Sequence, residues 1–187
     1  MRTRASEGER YCLVDTAIGR CGLAWSARGL TQMQLPERDD AATEARLERM
    51  TGGSGSAAPP PEVARIGEEL ARYAVGERID FAGARLDLSG VPEFHARVYA
   101  AAREVGWGRT ASYGEIARAI GEPGAARAVG QALGRNPLAI IVPCHRILAA
   151  GKRSGGFSAY GGRATKARLL ALEGVSAGAD MPLFKRQ

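Results

Sequence analysis

Short stretches of alternating apolar and polar residues occupy the first part of the chain and predict β-strands. Tyr11–Thr16, Cys21–Trp25 and Leu30–Leu35 each have the length and alternation of a half-buried strand. Ile18-Gly19 separates the first two and Arg28-Gly29 the last two, and glycine in such short connections is typical of turns. The pattern therefore predicts three consecutive strands of an antiparallel sheet.

Two helices and a further pair of strands are predicted before residue 89. Ala41–Met50 favours a short helix, and Glu62–Val75 favours a longer one. Between them, residues 51–61 are rich in Gly, Ser, Ala and Pro and predict a flexible loop. Ile79–Leu88 favours two strands broken at Gly83. We therefore expect an α/β domain with an antiparallel sheet over residues 1–88, followed by a linker over residues 89–92.

Helical spacing dominates after residue 92. Apolar residues at helical spacing begin at Phe94, and Ser112 with Glu115 matches a capping box at the start of a helix over Tyr113–Ile120. A turn containing two glycines leads to a second short helix, Ala125–Leu133. Two short helices joined in this way predict a helix-turn-helix.

The second of these helices has mostly small side chains, from which only Arg127 and Gln131 project. A helix that reads base edges in the major groove normally carries several long polar side chains. This helix is better suited to a close approach to a backbone or a narrow groove, with Arg127 as its one long probe.

The stretch Ile140–Leu148 carries the candidate chemistry. Its β-branched residues predict a short buried element, and Pro143 fixes the backbone angle just before Cys144. A cysteine is nucleophilic only as the thiolate, which requires a base or a positive charge nearby. His145 follows directly, and Glu173 at the end of a helix predicted over 164–173 could orient it. A buried structural cysteine is the alternative.

The charge is distributed unevenly over the 187 residues. Residues 1–92 contain 12 Lys and Arg against 14 Asp and Glu, whereas residues 93–187 contain 14 against 6. A basic half, with a net charge of +8 against −2, indicates a polyanion partner for the part that contains Cys144.

The remaining cysteines predict neither disulfides nor a metal site. The chain has three cysteines, an odd number at scattered spacing, and Cys12, Cys21 and His95 do not match a zinc pattern. No apolar run is long enough to span a bilayer, and the first residues lack the apolar core of a secretory signal. We therefore expect a cytoplasmic protein with no cofactor, no bound metal and no membrane partner.

Several of these segments together resemble the O6-alkylguanine-DNA alkyltransferases, also called methylated-DNA–protein-cysteine methyltransferases. The resemblance rests on Asn136-Pro137, Ile141–Arg146, a Gly-Gly loop, Lys166–Gly174, Ser112–Ala117 and Ala126–Gly130. It implies an RNase H-like α/β domain over 1–88. It also implies a mostly helical, winged-helix-like DNA-binding and alkyl-acceptor domain over 93–175, with a loose tail over 176–187.

The resemblance also implies a reaction. Cys144 would irreversibly accept an alkyl group from O6-alkylguanine in duplex DNA, so that each molecule acts once. O4-alkylthymine is left open as a second substrate. His145 would take the thiol proton through a water, oriented by Glu173. The protein would be a monomer in its free form, and in a bacterium it would be associated with the nucleoid.

Roles on the DNA side follow from the same resemblance, with docking in the minor groove and no sequence preference. Tyr113 would press on the phosphate 3′ to the lesion and help rotate the nucleotide out of the stack, and Arg127 would fill its place. Asn136 would brace the turn before the active site. The carbonyls of Cys144 and Ile147 would hold the guanine amino group.

The loop before the last helix departs from the family pattern. The family commonly has a Gly-Tyr-Ser-Gly-Gly type of segment, in which the tyrosine packs on the base. This chain has Phe157-Ser158-Ala159-Tyr160 before its glycine pair, and an additional Lys152-Arg153 pair. Either Phe157 or Tyr160 could therefore form the wall of the base pocket, with Ser158 beside it.

Three other functions are weaker. A non-catalytic lesion-recognition protein of this shape would lack the acceptor cysteine. A cysteine hydrolase would need an oxyanion site, for which the sequence offers no candidate. A transcription regulator would bind a specific operator, and the small second helix is poorly equipped for that.

Overall fold

Three of the predicted strands pair as an antiparallel sheet in the computed structural model, which describes residues 8–149 and 155–175. The strands are β1 (Arg10–Val14), β2 (Cys21–Ser26) and β3 (Gly29–Gln34), in that order across the sheet. The prediction of three consecutive antiparallel strands is confirmed.

Two helices cover the two faces of this sheet. They are α1 (Asp40–Met50) and α2 (Pro61–Ala74). Leu47 of α1 packs directly over Gly22, where an added Cβ would lie 2.0 Å from the leucine Cδ1. A Cβ at Gly67 of α2 would instead contact Leu23. Because neighbouring strand residues point to opposite faces, α1 and α2 lie on opposite sides of the sheet.

The strand pair predicted over Ile79–Leu88 is wrong. Phe81 has a positive φ of 53°, and the segment turns there, with the Ala84 N–H donating to the Phe81 carbonyl. The Phe81 ring is buried and lies 5.8 Å from that of Tyr73. The backbone of this segment therefore follows the burial of the Phe81 ring. Within the segment, Leu86 forms a single bridge, to Leu30 in β3.

The predicted loop over 51–61 also contacts the sheet. The Ala57 N–H donates to the Tyr11 carbonyl at 2.9 Å, and Ser56 forms an isolated bridge with Tyr11. The segment is therefore tied to β1 at this point.

The chain divides into two compact units. The first contains the residues up to Pro92 together with Pro137–Ile141, and the second contains Glu93–Asn136 and the chain from Val142 onward. In the first unit, the Met33 N–H donates to the Pro137 carbonyl at 2.8 Å, which places the short returning segment beside β3.

The second unit is mostly helical. Its helices are α3 (Glu93–Arg103), α4 (Tyr113–Ala119), α5 (Ala126–Gly134) and α6 (Arg163–Leu172). Two short strands, β4 (Ala111–Ser112) and β5 (Ile147–Leu148), pair in parallel. This pairing sets the beginning of α4 beside the segment that follows Cys144. Nothing in the sequence pattern predicted it.

The two short successive helices predicted here are present as α4 and α5, and residues 120–125 connect them. The capping box at α4 is confirmed: the Glu115 N–H donates to Ser112 Oγ at 3.2 Å, and the Ser112 N–H donates to Glu115 Oε2 at 2.6 Å. Tyr99 of α3 donates to the Ala132 carbonyl at 3.0 Å and so fixes α3 against α5.

The apolar run before Cys144 is buried, but it is a turn. Ile140 has a positive φ of 65°, which is rare for a β-branched residue, and the Ile141 N–H donates to the Ala139 carbonyl at 2.7 Å. The prediction of a short buried element is therefore confirmed, and the backbone of this element is a turn. Within the described ranges, no helix is both long and apolar enough to cross a membrane.

Candidate active site

Cys144 begins a single turn of 3-10 helix over Cys144–Arg146, between Pro143 and β5. The Cys144 N–H donates to the Val142 carbonyl at 2.8 Å, and the Arg146 N–H donates to the Pro143 carbonyl at 2.9 Å. The cysteine is 9% exposed. A tight, backbone-bonded turn thus holds a largely buried cysteine.

The side chain of Asn136 braces this turn. Its Nδ2 donates to the Val142 carbonyl at 2.8 Å, two residues before the cysteine. Asn136 lies two residues after the end of α5, so one amide joins the end of this helix to the segment that carries Cys144.

The surroundings of Cys144 both raise and lower the pKa of its thiol. Burial raises the pKa of the thiol, whereas the Asn136 amide, the positive charge of Lys166 and the backbone N–H groups of Cys144 and His145 lower it. The effect of burial is the largest, and the pKa lies above its ordinary value. The resting group is therefore a neutral thiol that needs a base before it can react.

His145 and Glu173 form a buried pair. The His145 Nε2 lies 2.8 Å from Glu173 Oε1, and both side chains are fully buried. Burial lowers the pKa of His145, and the charges of Arg146 and Lys166 lower it further, against the opposing effect of Glu173. Burial alone would raise the pKa of Glu173, but hydrogen bonds from His145 and Arg146 bring it down to about 2. The pair at rest is a neutral imidazole beside a carboxylate.

Lys166 is a site residue that the sequence analysis missed. Its ammonium is completely buried in α6 and donates to the Ile147 carbonyl at 2.6 Å. Burial lowers its pKa to about 8, and Cys144 acts in the opposite direction. Lys166, Leu169, Leu170 and Glu173 follow helical spacing. A lysine on the apolar face of a helix, seven residues before a carboxylate on that face, was therefore the available signal.

Tyr113, at the beginning of α4, is half-buried, and its pKa is raised by burial and by the nearby Cys144. Two glycines make room for its ring. A Cβ on Gly130 would lie 3.8 Å from the ring, and one on Gly155 would lie 2.8 Å from the hydroxyl oxygen. Arg127 projects from α5 and is exposed.

The carbonyls predicted to hold the guanine amino group already accept bonds from the protein. The Ile147 carbonyl accepts from Lys166, and the Cys144 carbonyl accepts from the Ile147 N–H. A carbonyl oxygen has two lone pairs, so each can still accept a second donor.

The residues of the departing loop differ in exposure. Phe157 is half-buried and Ser158 is exposed. Tyr160 is 53% exposed, and its carbonyl accepts from Thr165 Oγ1 at 2.6 Å. Of the two aromatic residues, Phe157 is thus the more enclosed. Lys152 and Arg153 lie outside the described residues, as does the tail from residue 176.

The remaining candidates from the sequence are Cys12, Cys21 and His95. Burial raises the pKa of Cys12 to about 11 and that of Cys21 to about 12, which keeps both thiols protonated at neutral pH. His95 lies in α3, with its ring 6.2 Å from that of Tyr99. Among the residues that the structure describes, no three His, Cys, Asp or Glu side chains come together as a metal site.

Comparisons with known proteins agree over nearly the whole chain. Residues 93–175 match the family model described as 6-O-methylguanine DNA methyltransferase, DNA binding domain. The chain is 43% identical to the methylated-DNA–protein-cysteine methyltransferase of Mycolicibacterium paratuberculosis and 40% identical to that of Mycobacterium tuberculosis. Each match extends over 175 residues, which is 93% of this chain and 98% of the relative. The crystal structure of Mycobacterium tuberculosis OGT in complex with DNA matches with a TM-score of 0.70 and 38% identity, covering 88% of this chain and 92% of that one.

Proposed function

This chain belongs to the methylated-DNA–protein-cysteine methyltransferases, and on that premise we propose that Cys144 is the residue that accepts the alkyl group. Members of this family repair DNA by direct transfer of an alkyl group from the damaged base to a cysteine of the protein. One observation carries the assignment: Cys144 lies in the same tight turn as His145, which is paired with buried Glu173. The other two cysteines have no such neighbour among the residues described.

The proposed reaction begins with a proton transfer. An ionised carboxylate only accepts hydrogen bonds, so Glu173 fixes the proton of His145 on Nε2 and leaves the lone pair on Nδ1. Nδ1 takes the thiol proton through a water molecule. The thiolate of Cys144 then forms a bond to the alkyl carbon, and the bond from that carbon to O6 breaks.

The products explain why each molecule acts once. The electron pair of the broken bond passes into the guanine, which takes up a proton from water and becomes the ordinary base, while His145 returns the thiol proton to water. The cysteine becomes a thioether. A thioether has no ionisable proton, and its sulfur leaves the alkyl carbon less readily than O6 of the guanine does. The thiol is therefore consumed and the protein is a stoichiometric reagent.

The alkylated base must leave the DNA stack to reach the sulfur. Extrusion of a base costs a few kcal/mol, and less when the base is already poorly paired. We assign Tyr113 to the phosphate beside the lesion and Arg127 to the vacated place in the stack. The small side chains of α5 support an approach from the minor groove, and the basic charge after residue 92 supports affinity without sequence preference.

The finer structural and cellular assignments belong to the same proposal. We assign an RNase H-like fold to the α/β unit and a winged-helix-like fold to the helical unit, with its helix-turn-helix formed by α4 and α5. We also propose that the protein acts as a monomer in the cytoplasm, on the nucleoid if the source is bacterial. In the loop, the half-buried position of Phe157 supports this residue, rather than Tyr160, as the wall of the base pocket.

Peptide mass spectrometry tests the acceptor directly. Trypsin cleaves after Arg135 and Arg146, so Cys144 lies in a peptide that contains neither Cys12 nor Cys21. After incubation with duplex DNA containing O6-methylguanine, we expect one methyl group on this peptide and none on the other two cysteine peptides. An unmodified Cys144 peptide, or undiminished methyl uptake by Cys144→Ala, contradicts the assignment.

A further inference from the structure

The guanidinium of Arg146 binds the carboxylate of Glu173, the partner of His145. Its Nε donates to Glu173 Oε2 at 2.8 Å and its Nη2 donates to Glu173 Oε1 at 2.9 Å. The same Oε1 also contacts His145. The third nitrogen, Nη1, donates to the Val105 carbonyl at 2.6 Å. The arginine therefore fixes both oxygens of the carboxylate and is itself anchored beyond the end of α3.

This clamp determines which groups carry protons. A buried carboxylate without a cation takes up a proton easily, because burial disfavours the charged form. Arginine stays charged at every pH that a protein survives, so a two-point contact holds Glu173 ionised. The ionised carboxylate in turn can only accept from His145, which fixes the proton of that ring on Nε2.

We propose that Arg146 is a positioning residue for alkyl transfer: its clamp keeps Glu173 ionised and His145 neutral, so that Nδ1 of His145 can receive the proton of Cys144. The inference rests on the proposed roles of these three residues. Arg146 itself contacts neither the sulfur nor the substrate in this mechanism.

The charge balance around the imidazole supports this role. The charged or titratable groups that affect His145 are Glu173, Arg146 and Lys166, with Cys144 next to it in the chain. Glu173 favours a protonated ring, and Arg146 opposes that effect at close range. Without the guanidinium, Glu173 has His145 as its close cationic partner, and the pair retains a proton at neutral pH. A histidine that is already protonated cannot act as a base.

Histidine NMR tests this without any repair reaction. The chain contains two histidines, His95 and His145, so a ¹⁵N-edited spectrum of the imidazoles has two sets of signals, and His95→Gln assigns them. In wild type we expect His145 to be neutral at neutral pH with its proton on Nε2. In Arg146→Met the midpoint of its titration should rise by about one to three pH units, and Arg146→Lys should lie between.

The rate of methyl transfer from duplex DNA gives the second readout. The acid side of the pH–rate profile should move to higher pH in Arg146→Met by the same amount as the NMR midpoint. Leu170→Val is the control, because it disturbs the core of α6 and leaves the clamp intact. It should lower stability without moving the profile.

The inference is overturned if His145 keeps its wild-type midpoint and tautomer in Arg146→Met while transfer slows equally at every pH. That result would make Arg146 a purely structural residue, and the acceptor assignment would stand. If Arg146→Met does not fold, Arg146→Lys is compared with wild type in both the native and the Glu173→Gln backgrounds. An equal shift of His145 in both backgrounds also overturns the inference, because the arginine would then not act through Glu173.

Discussion

Replacing Lys166 by methionine removes a buried ammonium at the centre of the site. The wild-type group has no exposed surface and its pKa is lowered from 10.5 to about 8, mainly by burial. The folded protein therefore releases this proton near pH 8, whereas the unfolded chain holds it until about pH 10.5. Between these values the unfolded state binds more protons, so this group makes stability rise with pH.

The size of the effect follows from the shift. At about 1.4 kcal/mol per pKa unit, the free energy of unfolding of wild type should rise by about 3 kcal/mol relative to Lys166→Met between pH 8 and pH 10.5. Below pH 8 the difference should be constant. Because the charge of Lys166 also lowers the pKa of Cys144, both proteins carry Cys144→Ala in this comparison, so that the thiol does not contribute to the difference.

Urea denaturation at a series of pH values measures this difference. Trp107 lies in the second unit and Trp25 in the first, so a Trp25→Phe background lets fluorescence report on the unit that contains Lys166. Arg163→Met, which removes an exposed cation from the same helix, should give a flat difference curve. A flat curve for Lys166→Met as well would refute the reasoning, because the ammonium would then be as well solvated as in the unfolded chain.

Two further substitutions test packing and DNA recognition. Gly22→Ala should destabilise the protein by about 1–3 kcal/mol in urea denaturation, because its Cβ meets Leu47, whereas Gly124→Ala, with no described atom within 4 Å of its Cβ, should change stability little. Equal stability of the two variants would contradict the packing of α1 on the sheet. Arg127→Ala should slow repair of duplex DNA more than reaction with a free O6-alkylated guanine, and Gln131→Ala on the same helix should affect both substrates little. Equal losses on both substrates in Arg127→Ala would remove its role as a stack filler.

The features predicted correctly from sequence are those set by neighbours along the chain. The capping box joins Ser112 to Glu115, three residues on, and the hairpins of the sheet are closed by short turns. Cys144, His145 and Glu173 were grouped from the chemistry of an activated thiol, and the resemblance supported that grouping, because Glu173 lies 28 residues after the histidine. A separation of 28 residues along the chain does not by itself show that two side chains are in contact.

The features that were missed depend on contacts between distant residues. Arg146 was named only as the last residue of the segment Ile141–Arg146, and its partner Glu173 lies 27 residues away. Lys166 reaches a carbonyl 19 residues before it. The strand pair over Ile79–Leu88 was predicted from composition alone, whereas the burial of Phe81 beside Tyr73 decided its backbone. Composition does not predict which distant residue an aromatic ring will contact.

The burial that keeps Cys144 protonated also affects the lifetime of the protein. If the thiol is used only once, as proposed, a molecule is lost whenever its sulfur reacts with an oxidant or a small electrophile in solution. Such reagents attack thiolates far faster than thiols. A covered, uncharged sulfur is a poor target for them. The burial that lowers the reactivity of the thiol in the free protein thus also preserves it until a damaged base binds.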